Sequence, residues 1–316
     1  MDDPEPAENI SGGDPAGSSF AEFASGDPAT RAEAVVDRLG DLYWTKTYGG
    51  RDAFECLVRT ILSQNTSDVA SQPAHDALMD RYGEGGRDLA AALADADPEA
   101  LADTIRPAGL YNRKADVLTA VAERVLDDHG SAAAFDEFVR DGDPAEVRSA
   151  LLDLSGVGPK TADCVLLFAG GRGGVFPVDT HVHRVYRRLG IAAPDADHEE
   201  VRAALERDVP AEKCGFGPQT IAKRYKEASQ SDGDEFHNGG TYLIDGEEIT
   251  FAHGGVPPEK CGFGHTATIQ FGREYCTARK PVCLEGPEAC PLYDLCDRVG
   301  VNPETGEVVD PAETVE

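Results

Sequence analysis

The segment 154–168, LSGVGPKTADCVLLF, contains residue types that could bind an anion. Gly156 and Gly158 form a Gly-x-Gly turn between two apolar helical segments, and Pro159 suits the first position of the following helix. Such a turn presents backbone N–H groups at a helix N-terminus, an arrangement that binds phosphate without reading sequence. The alternative is a tight helix–helix turn that only packs. The full pattern, with Lys160 beside the turn, favours DNA binding.

A second set of candidate residues is a group of cysteines in CTARKPVCLEGPEACPLYDLC. In a cytosolic protein such a group indicates a metal site more often than disulfides. The gaps are six, six and five residues, whereas zinc sites usually contain pairs separated by roughly two to four residues. The spacing therefore favours a [4Fe–4S] cluster, with zinc as the alternative. The four candidate ligands are Cys276, Cys283, Cys290 and Cys296.

Helices must position these groups, because apolar residues recur with helical spacing along most of the chain. The segment AFECLVRTIL places one apolar stripe inward: Phe54, Leu57, Val58, Ile61 and Leu62. KADVLTAVAERVLDDHG repeats the pattern and is predicted to end at Gly130. Cys56 and Cys164 fall on apolar helix faces, where a buried thiol is ordinary. Because the strand signal is weak, the sequence predicts an all-α core from about 29 to 298.

The chain is strongly acidic, with 58 Asp and Glu against 29 Lys and Arg and a net charge of −29. Few of the bases are lysines, and the acidic excess runs along the whole chain, which is typical of a halophilic archaeon's cytoplasm. An acidic-tailed protein from an ordinary cell is the alternative. Apolar residues make up 41% of the chain, enough for a core. The sequence contains neither a membrane-length apolar run nor a signal peptide, so we expect a cytoplasmic protein without a membrane partner.

Charge is distributed unevenly. Residues 1–28 contain seven acids and 299–316 contain five, without a base in either segment, so both are predicted to be disordered acidic tails. By contrast, 154–190 contains five bases and two acids, a net of +3. Smaller basic segments lie at 104–114 and 273–280. An anionic partner would dock at these basic segments.

A near-repeat marks an inserted segment. VPAEKCGFG at 209–217 recurs as VPPEKCGFG at 256–264, which indicates a local duplication or insertion rather than a solenoid. Between the copies, TYLIDGEEITF contains two short alternating runs around Asp245 and Gly246. This pattern predicts a small β-hairpin near 241–251 in a surface insert, about 218–264, without a catalytic role.

The motifs VGPKTA and VDTH together resemble the helix-hairpin-helix DNA glycosylase superfamily, and the lysine in the hairpin resembles its endonuclease III branch. The resemblance covers roughly 30–298 apart from the insert. It implies two helical domains with a DNA cleft between them. A six-helix barrel with the helix-hairpin-helix would span 48–172, and an iron–sulfur domain would combine 29–47 with 173–298.

In that family the lysine matching Lys160 is the nucleophile and the aspartate matching Asp179 is its partner. An amine that attacks a sugar C1′ must be neutral, and a partly desolvated pocket favours that form. The carboxylate can accept the amine proton and balance a cationic sugar. The alternatives are that Lys160 contacts a phosphate and that Asp179 caps the helix at 180–190.

Base chemistry in a duplex requires the base to be flipped out, and the gap must be filled. The resemblance implies that Asn65, where the family usually has glutamine, and Leu110 insert into the duplex, with Tyr111 beside Leu110. Core packing is the alternative for Leu110 and Tyr111. Asp68 matches a family acid in or near the pocket, and helix capping is its alternative.

The family's cluster has cysteine gaps of six, two and five, so the middle gap of this chain, LEGPEA, is four residues longer. The difference concerns the geometry of that loop more than the presence of a [4Fe–4S] cluster. Arg279 and Lys280 lie in the first loop, where the family contacts phosphate.

The resemblance implies a bifunctional DNA glycosylase and abasic-site lyase of base excision repair. It would excise oxidised or damaged pyrimidines from double-stranded DNA and nick the abasic site by β-elimination, as a monomer associated with the nucleoid. One alternative is a mismatch-specific glycosylase of the same superfamily, although SQNTSD lacks the adenine branch's glutamate and Lys160 is present. The other is a non-catalytic DNA-binding protein that carries a cluster.

Overall fold

The computed structural model describes residues 28, 30–43, 52–83, 85–169, 175–207, 241–244, 247–250 and 258–315. These residues belong to two compact units, one containing 45–172 and the other containing 20–44 and 173–316. Both are mostly helical, which confirms the predicted fold class. In the described part of the chain, no helix has the length and apolar character needed to cross a membrane.

The first unit is built from successive short helices. They are α2 (Ala53–Ser63), α3 (Asp68–Leu78, continued by a π-turn at Met79–Gly83), α4 (Leu89–Ala94), α5 (Pro98–Thr104), a 3₁₀ turn (Arg106–Ala108), α6 (Tyr111–His129), α7 (Ala132–Asp141), α8 (Pro144–Leu152) and α9 (Pro159–Phe168). The predicted stripe of α2 is fully buried, and so are Cys56 and Cys164. Gly130 ends α6 with φ 83°, as predicted.

Acidic side chains begin many of these helices. The carboxylates of Asp52, Asp88, Asp97 and Asp143 each accept a backbone N–H in the first turn. An N-cap of this kind stabilises a helix by about 1 kcal/mol, and the negative charge also suits the positive end of the helix dipole. Part of the acidic excess is therefore structural.

The second unit contains helices from both ends of the chain. They are α1 (Arg31–Tyr43), α10 (Thr180–Leu189), α11 (His198–Glu206) and α12 (Pro258–Glu274). Val35, Val36 and Leu39 of α1 are fully buried, and α1 and α10 both pack against α12. After α12 the chain continues through 3₁₀ turns at Val282–Glu285, Pro287–Ala289 and Tyr293–Leu295.

The predicted insert hairpin is present. Strand β1 (Thr241–Ile244) pairs antiparallel with β2 (Glu247–Thr250), with Thr241 opposite Thr250 and Ile244 opposite Glu247. The second copy of the repeated segment enters α12, which begins at Pro258. The first copy, 209–217, lies outside the described residues.

The prediction of a disordered tail at 299–316 is wrong for the described residues. Strand β3 (Val301–Asn302) pairs with β4 (Glu307–Val308), and a 3₁₀ turn follows at Pro311–Thr314. Asp310 caps that turn and also accepts a hydrogen bond from Arg187 at 2.6 Å. Composition alone failed here because the base that pairs with this acidic segment lies on α10. The predicted N-terminal tail lies outside the described residues up to position 27.

Candidate functional site

The helix-hairpin-helix turn joins α8 to α9. Gly156 has φ 80°, and a Cβ there would lie 2.8 Å from the Val117 side chain, so this position requires glycine. Gly158 instead has an ordinary φ of −100° and caps α9, and its missing Cβ would point into open space. Its exposed backbone leaves the N-terminus of α9 accessible to a phosphate.

Lys160 is the second residue of α9 and is half-buried. The positive end of the α9 dipole disfavours a further positive charge at this position. A nucleophilic lysine reacts through its neutral amine, so a position at the start of a helix is compatible with the predicted role.

The loop after α2 contacts the hairpin through Gln64 rather than Asn65. The Gln64 Nε2 donates to Gly156 O at 3.1 Å and to Thr161 Oγ1 at 3.2 Å. Asn65 is exposed and left-handed, with φ 53°. Of the two adjacent amides, one fixes the loop to the hairpin and the other is presented to solvent. The predicted inserting residue, Asn65, is therefore the amide of this pair that is accessible.

Leu110 forms the exposed tip of the loop before α6. Its side chain is 56% exposed and its φ is 50°, a conformation that costs a non-glycine residue free energy. Tyr111 begins α6 and is half-buried, with the Arg106 guanidinium 4.5 Å from its ring centroid. Core packing explains neither the exposure nor the strain of Leu110, whereas Tyr111 is held by its neighbours.

The basic segment 104–114 is less available to an anion than its sequence indicates. Arg106 is exposed and pairs with Asp103, whereas Lys114 is only 5% exposed. The Lys114 Nζ donates to Leu62 O at 2.7 Å and to Ala108 O at 2.8 Å. Sequence reasoning missed this role, although Lys114 lies one and two helical turns before Leu118 and Val121 of the buried stripe.

Two predicted acidic site residues lie at helix N-termini. In the second unit Asp179 is the N-cap of α10, and its Oδ1 accepts N–H groups from His181 at 2.9 Å and Val182 at 2.8 Å. The capping alternative is therefore real for Asp179, and it is compatible with a catalytic role because these bonds stabilise the ionised carboxylate. In the first unit Asp68 begins α3, but Ser67 is the cap. The side chain of Asp68 lies outside what the structure describes.

The four predicted ligands line a single pocket in the second unit, together with Arg188, Arg298 and apolar residues that include Val301. None of the four forms a disulfide. Burial raises the pKa of Cys290 to about 11 and that of Cys296 to about 12, so binding iron must displace their protons. Four reduced thiols around one largely apolar space fit a [4Fe–4S] cluster.

Arginine side chains of α10 support the loop that follows Cys276. Arg188, only 3% exposed, donates to Thr277 O and Ala278 O at 2.7 Å each, and its guanidinium also lies 3.6 Å from Cys276 Sγ. Arg184 donates to Cys276 O at 3.0 Å. The basic residues of α10 therefore stabilise the fold, and the expectation that the segment 154–190 offers its bases to an anionic partner is wrong for them.

Arg279 and Lys280 occupy the same loop and are both exposed. The Lys280 N–H donates to Thr277 Oγ1 at 3.3 Å, which orders the loop from within. Arg188 and Arg184 thus hold the base of this loop, while the side chains of Arg279 and Lys280 face solvent.

Comparison with known families identifies both regions. Residues 58–211 match the model of the HhH-GPD superfamily base excision DNA repair protein, and 276–296 match the iron-sulfur binding domain of endonuclease III. The second match confirms the predicted cofactor, a [4Fe–4S] cluster, in the cysteine-containing segment.

Individual relatives are consistent with these two family matches. Endonuclease III of Thermotoga maritima is 32% identical over 164 residues, which cover 52% of this chain and 68% of that protein. Endonuclease III of Bacillus subtilis is 28% identical over 266 residues, covering 84% and 90% respectively. A solved structure of a non-covalent endonuclease III–DNA complex superposes with a TM-score of 0.58 at 23% identity, covering 86% of this chain and 97% of that one. That likeness shows the fold.

Proposed function

Because the chain belongs to the HhH-GPD superfamily and is a DNA-binding glycosylase of base excision repair, we propose that it excises damaged pyrimidines and then cleaves the abasic strand as a lyase. It acts as a monomer on duplexes that contain damaged bases or abasic sites. The observation that carries the proposal is Lys160, a half-buried primary amine in the first turn of α9 beside the Gly156 turn.

Lys160 is the nucleophile. Its neutral amine attacks C1′, a C1′–N bond to the lysine forms, and the bond to the damaged base breaks with its electron pair leaving on the base. The C1′–O4′ bond then breaks, O4′ takes up the proton that the amine released, and a protonated Schiff base remains on Lys160. Loss of a proton from C2′ expels the 3′ phosphate oxygen, which nicks the strand by β-elimination.

Asp179 accepts the proton that the attacking amine releases and balances positive charge on the sugar. The two backbone N–H groups that bind its Oδ1 favour the ionised carboxylate. Asn65 and Leu110 fill the space left by the extruded base. Their support is the exposure of both side chains on left-handed backbone.

The test is borohydride trapping on duplexes that contain thymine glycol or an abasic site. Wild-type protein should form a covalent adduct on both substrates, because reduction fixes the Schiff base. Lys160→Ala should form none. Lys160→Arg keeps the positive charge but lacks the primary amine, so it separates a nucleophile from a phosphate contact.

An adduct with Lys160→Arg, or none with the wild type on either duplex, would contradict the lyase proposal. If adducts form on the abasic duplex but thymine glycol is not released, the lyase activity stands and the assignment of a damaged-pyrimidine substrate is wrong. Release of adenine or thymine from mismatched duplexes would then indicate a mismatch-specific glycosylase.

A further inference from the structure

Lys114 is a buried cation that the proposed chemistry does not use. It lies in the first turn of α6, is only 5% exposed, and donates to two backbone carbonyls, Leu62 O at 2.7 Å and Ala108 O at 2.8 Å. Both acceptors are neutral. Burial lowers the pKa of this lysine to about 8, because an apolar environment disfavours the ammonium.

The two carbonyls belong to different loops. Leu62 is in the last turn of α2, three positions before Asn65. Thr66 N, which would bond Leu62 O if the helix continued, donates to Ser63 O instead. Ala108 ends the 3₁₀ turn two positions before Leu110. One side chain therefore connects the backbones that lead to both proposed inserting residues.

Both loop tips have left-handed backbone, with φ 53° at Asn65 and φ 50° at Leu110, and this conformation costs leucine more free energy than asparagine. Such conformations persist only where the surrounding structure determines them. An apolar side chain in place of Lys114 would fill the space but could not hold two carbonyls at a fixed separation. The two charge-assisted bonds offset part of the free-energy cost of burying an ammonium.

We propose that Lys114 is a positioning residue that fixes the separation of the Asn65 and Leu110 loops, so that both side chains enter the duplex together when a base is extruded. The proposal rests on the inserting roles assigned above to Asn65 and Leu110. Lys114 contacts no DNA. It acts through the two carbonyls.

The test compares Lys114→Met with Arg124→Met, which removes a charge from an exposed position on the same helix. Insertion is measured by the fluorescence of 2-aminopurine opposite a tetrahydrofuran abasic analogue, which requires no bond cleavage. Lys114→Met should lose most of the fluorescence rise and about 100-fold in single-turnover excision, a loss typical of a misplaced reacting group. Affinity for undamaged duplex should change less than about 2-fold, since no phosphate contact is removed. Arg124→Met should match the wild type.

A double-mutant cycle separates positioning from general destabilisation. If Lys114 acts through the loops, Lys114→Met should add little to the excision defect of Leu110→Ala, whereas independent effects would multiply. If Lys114→Met does not fold, the same cycle is run with Lys114→Gln, whose shorter neutral amide cannot bridge both carbonyls. A multiplicative cycle, or normal insertion in a folded Lys114 variant, would overturn the proposal.

The same data distinguish this proposal from the proposed function. If Leu110→Ala inserts as well as the wild type, the inserting role is wrong and the Lys114 proposal fails with it. If Leu110→Ala is defective while the Lys114 variant is normal, only the positioning role fails. Absence of lyase chemistry affects neither fluorescence measurement.

Discussion

Lys114 in the first unit and Arg188 in the second are both buried cations that bind two backbone carbonyls, but the sequence separation of their acceptors differs. Lys114 reaches carbonyls 46 positions apart in sequence, Leu62 O and Ala108 O. Arg188 binds the adjacent carbonyls of Thr277 and Ala278. An ammonium is a compact donor that can join two loops, whereas the planar guanidinium fork suits neighbouring acceptors. In both units a buried cation holds the base of a loop, and we propose that the exposed tip of that loop contacts DNA.

The largest effect should follow from removing the arginine fork. Arg188→Met would leave two carbonyls unsatisfied beside Cys276, at about 1–3 kcal/mol each. We expect purified protein with little iron and a reduced free energy of unfolding, measured by iron content, visible absorbance and urea denaturation. Arg202→Met, which removes the ion pairs with Glu199 and Glu206 on α11, is the control and should lose about 1 kcal/mol or less. Full iron content in Arg188→Met would show that Arg188 is not needed to hold the loop beside Cys276.

Leu110→Gly should separate stability from activity. Glycine adopts φ 50° without the penalty of a Cβ, so the free energy of unfolding should rise by about 1 kcal/mol. Loss of the apolar tip should lower excision about 10- to 100-fold. Thermal unfolding and single-turnover excision measure the two changes. A less stable variant would show that Leu110 packs rather than inserts.

Substitution of the exposed bases Arg279 and Lys280 should change the affinity for DNA but not the stability of the protein. Arg279→Met with Lys280→Met removes two solvent-facing charges, so the slope of log affinity against log salt should fall by about 1.8, or 0.9 per phosphate contact. Unfolding should change by less than about 0.5 kcal/mol, as is usual for surface substitutions. Titrations of a duplex at several salt concentrations provide the measurement. An unchanged slope would remove this loop from the DNA interface.

The smallest effect concerns Lys114 and pH. Its pKa is about 8 in the folded protein and near 10.5 when unfolded, so the unfolded chain binds more protons between these values. Stability contributed at this position should therefore rise as pH increases from about 8 to about 10.5. Urea unfolding should show this rise in the wild type and a weaker one in Lys114→Met. Parallel pH profiles would show that the lysine titrates normally.

The sequence predicted the helices and the cysteine set because both depend on local spacing. The stripe from Phe54 to Leu62 and the stop at Gly130 follow from periodicity and from one residue's backbone freedom. Whether a charged side chain is exposed or bonded within the protein depends instead on partners distant in sequence. Arg187 and Arg188 counted as part of a basic segment, but their acceptors are Asp310, Thr277 and Ala278. Lys114 also counted as part of a basic segment, although its helical phase with Leu118 places it inside.

A stop codon introduced after Arg298 would leave every proposed catalytic residue and every cysteine ligand in the translated chain. The product would nevertheless lack Val301 from the wall of the cysteine pocket and Asp310 from its ion pair with Arg187. It would also lack the Val299 N–H that bonds Arg188 O at 3.0 Å. We therefore expect truncations between Arg298 and Asp310 to lose the cofactor and with it DNA repair. An inspection of the catalytic residues and cysteine ligands alone would miss this defect.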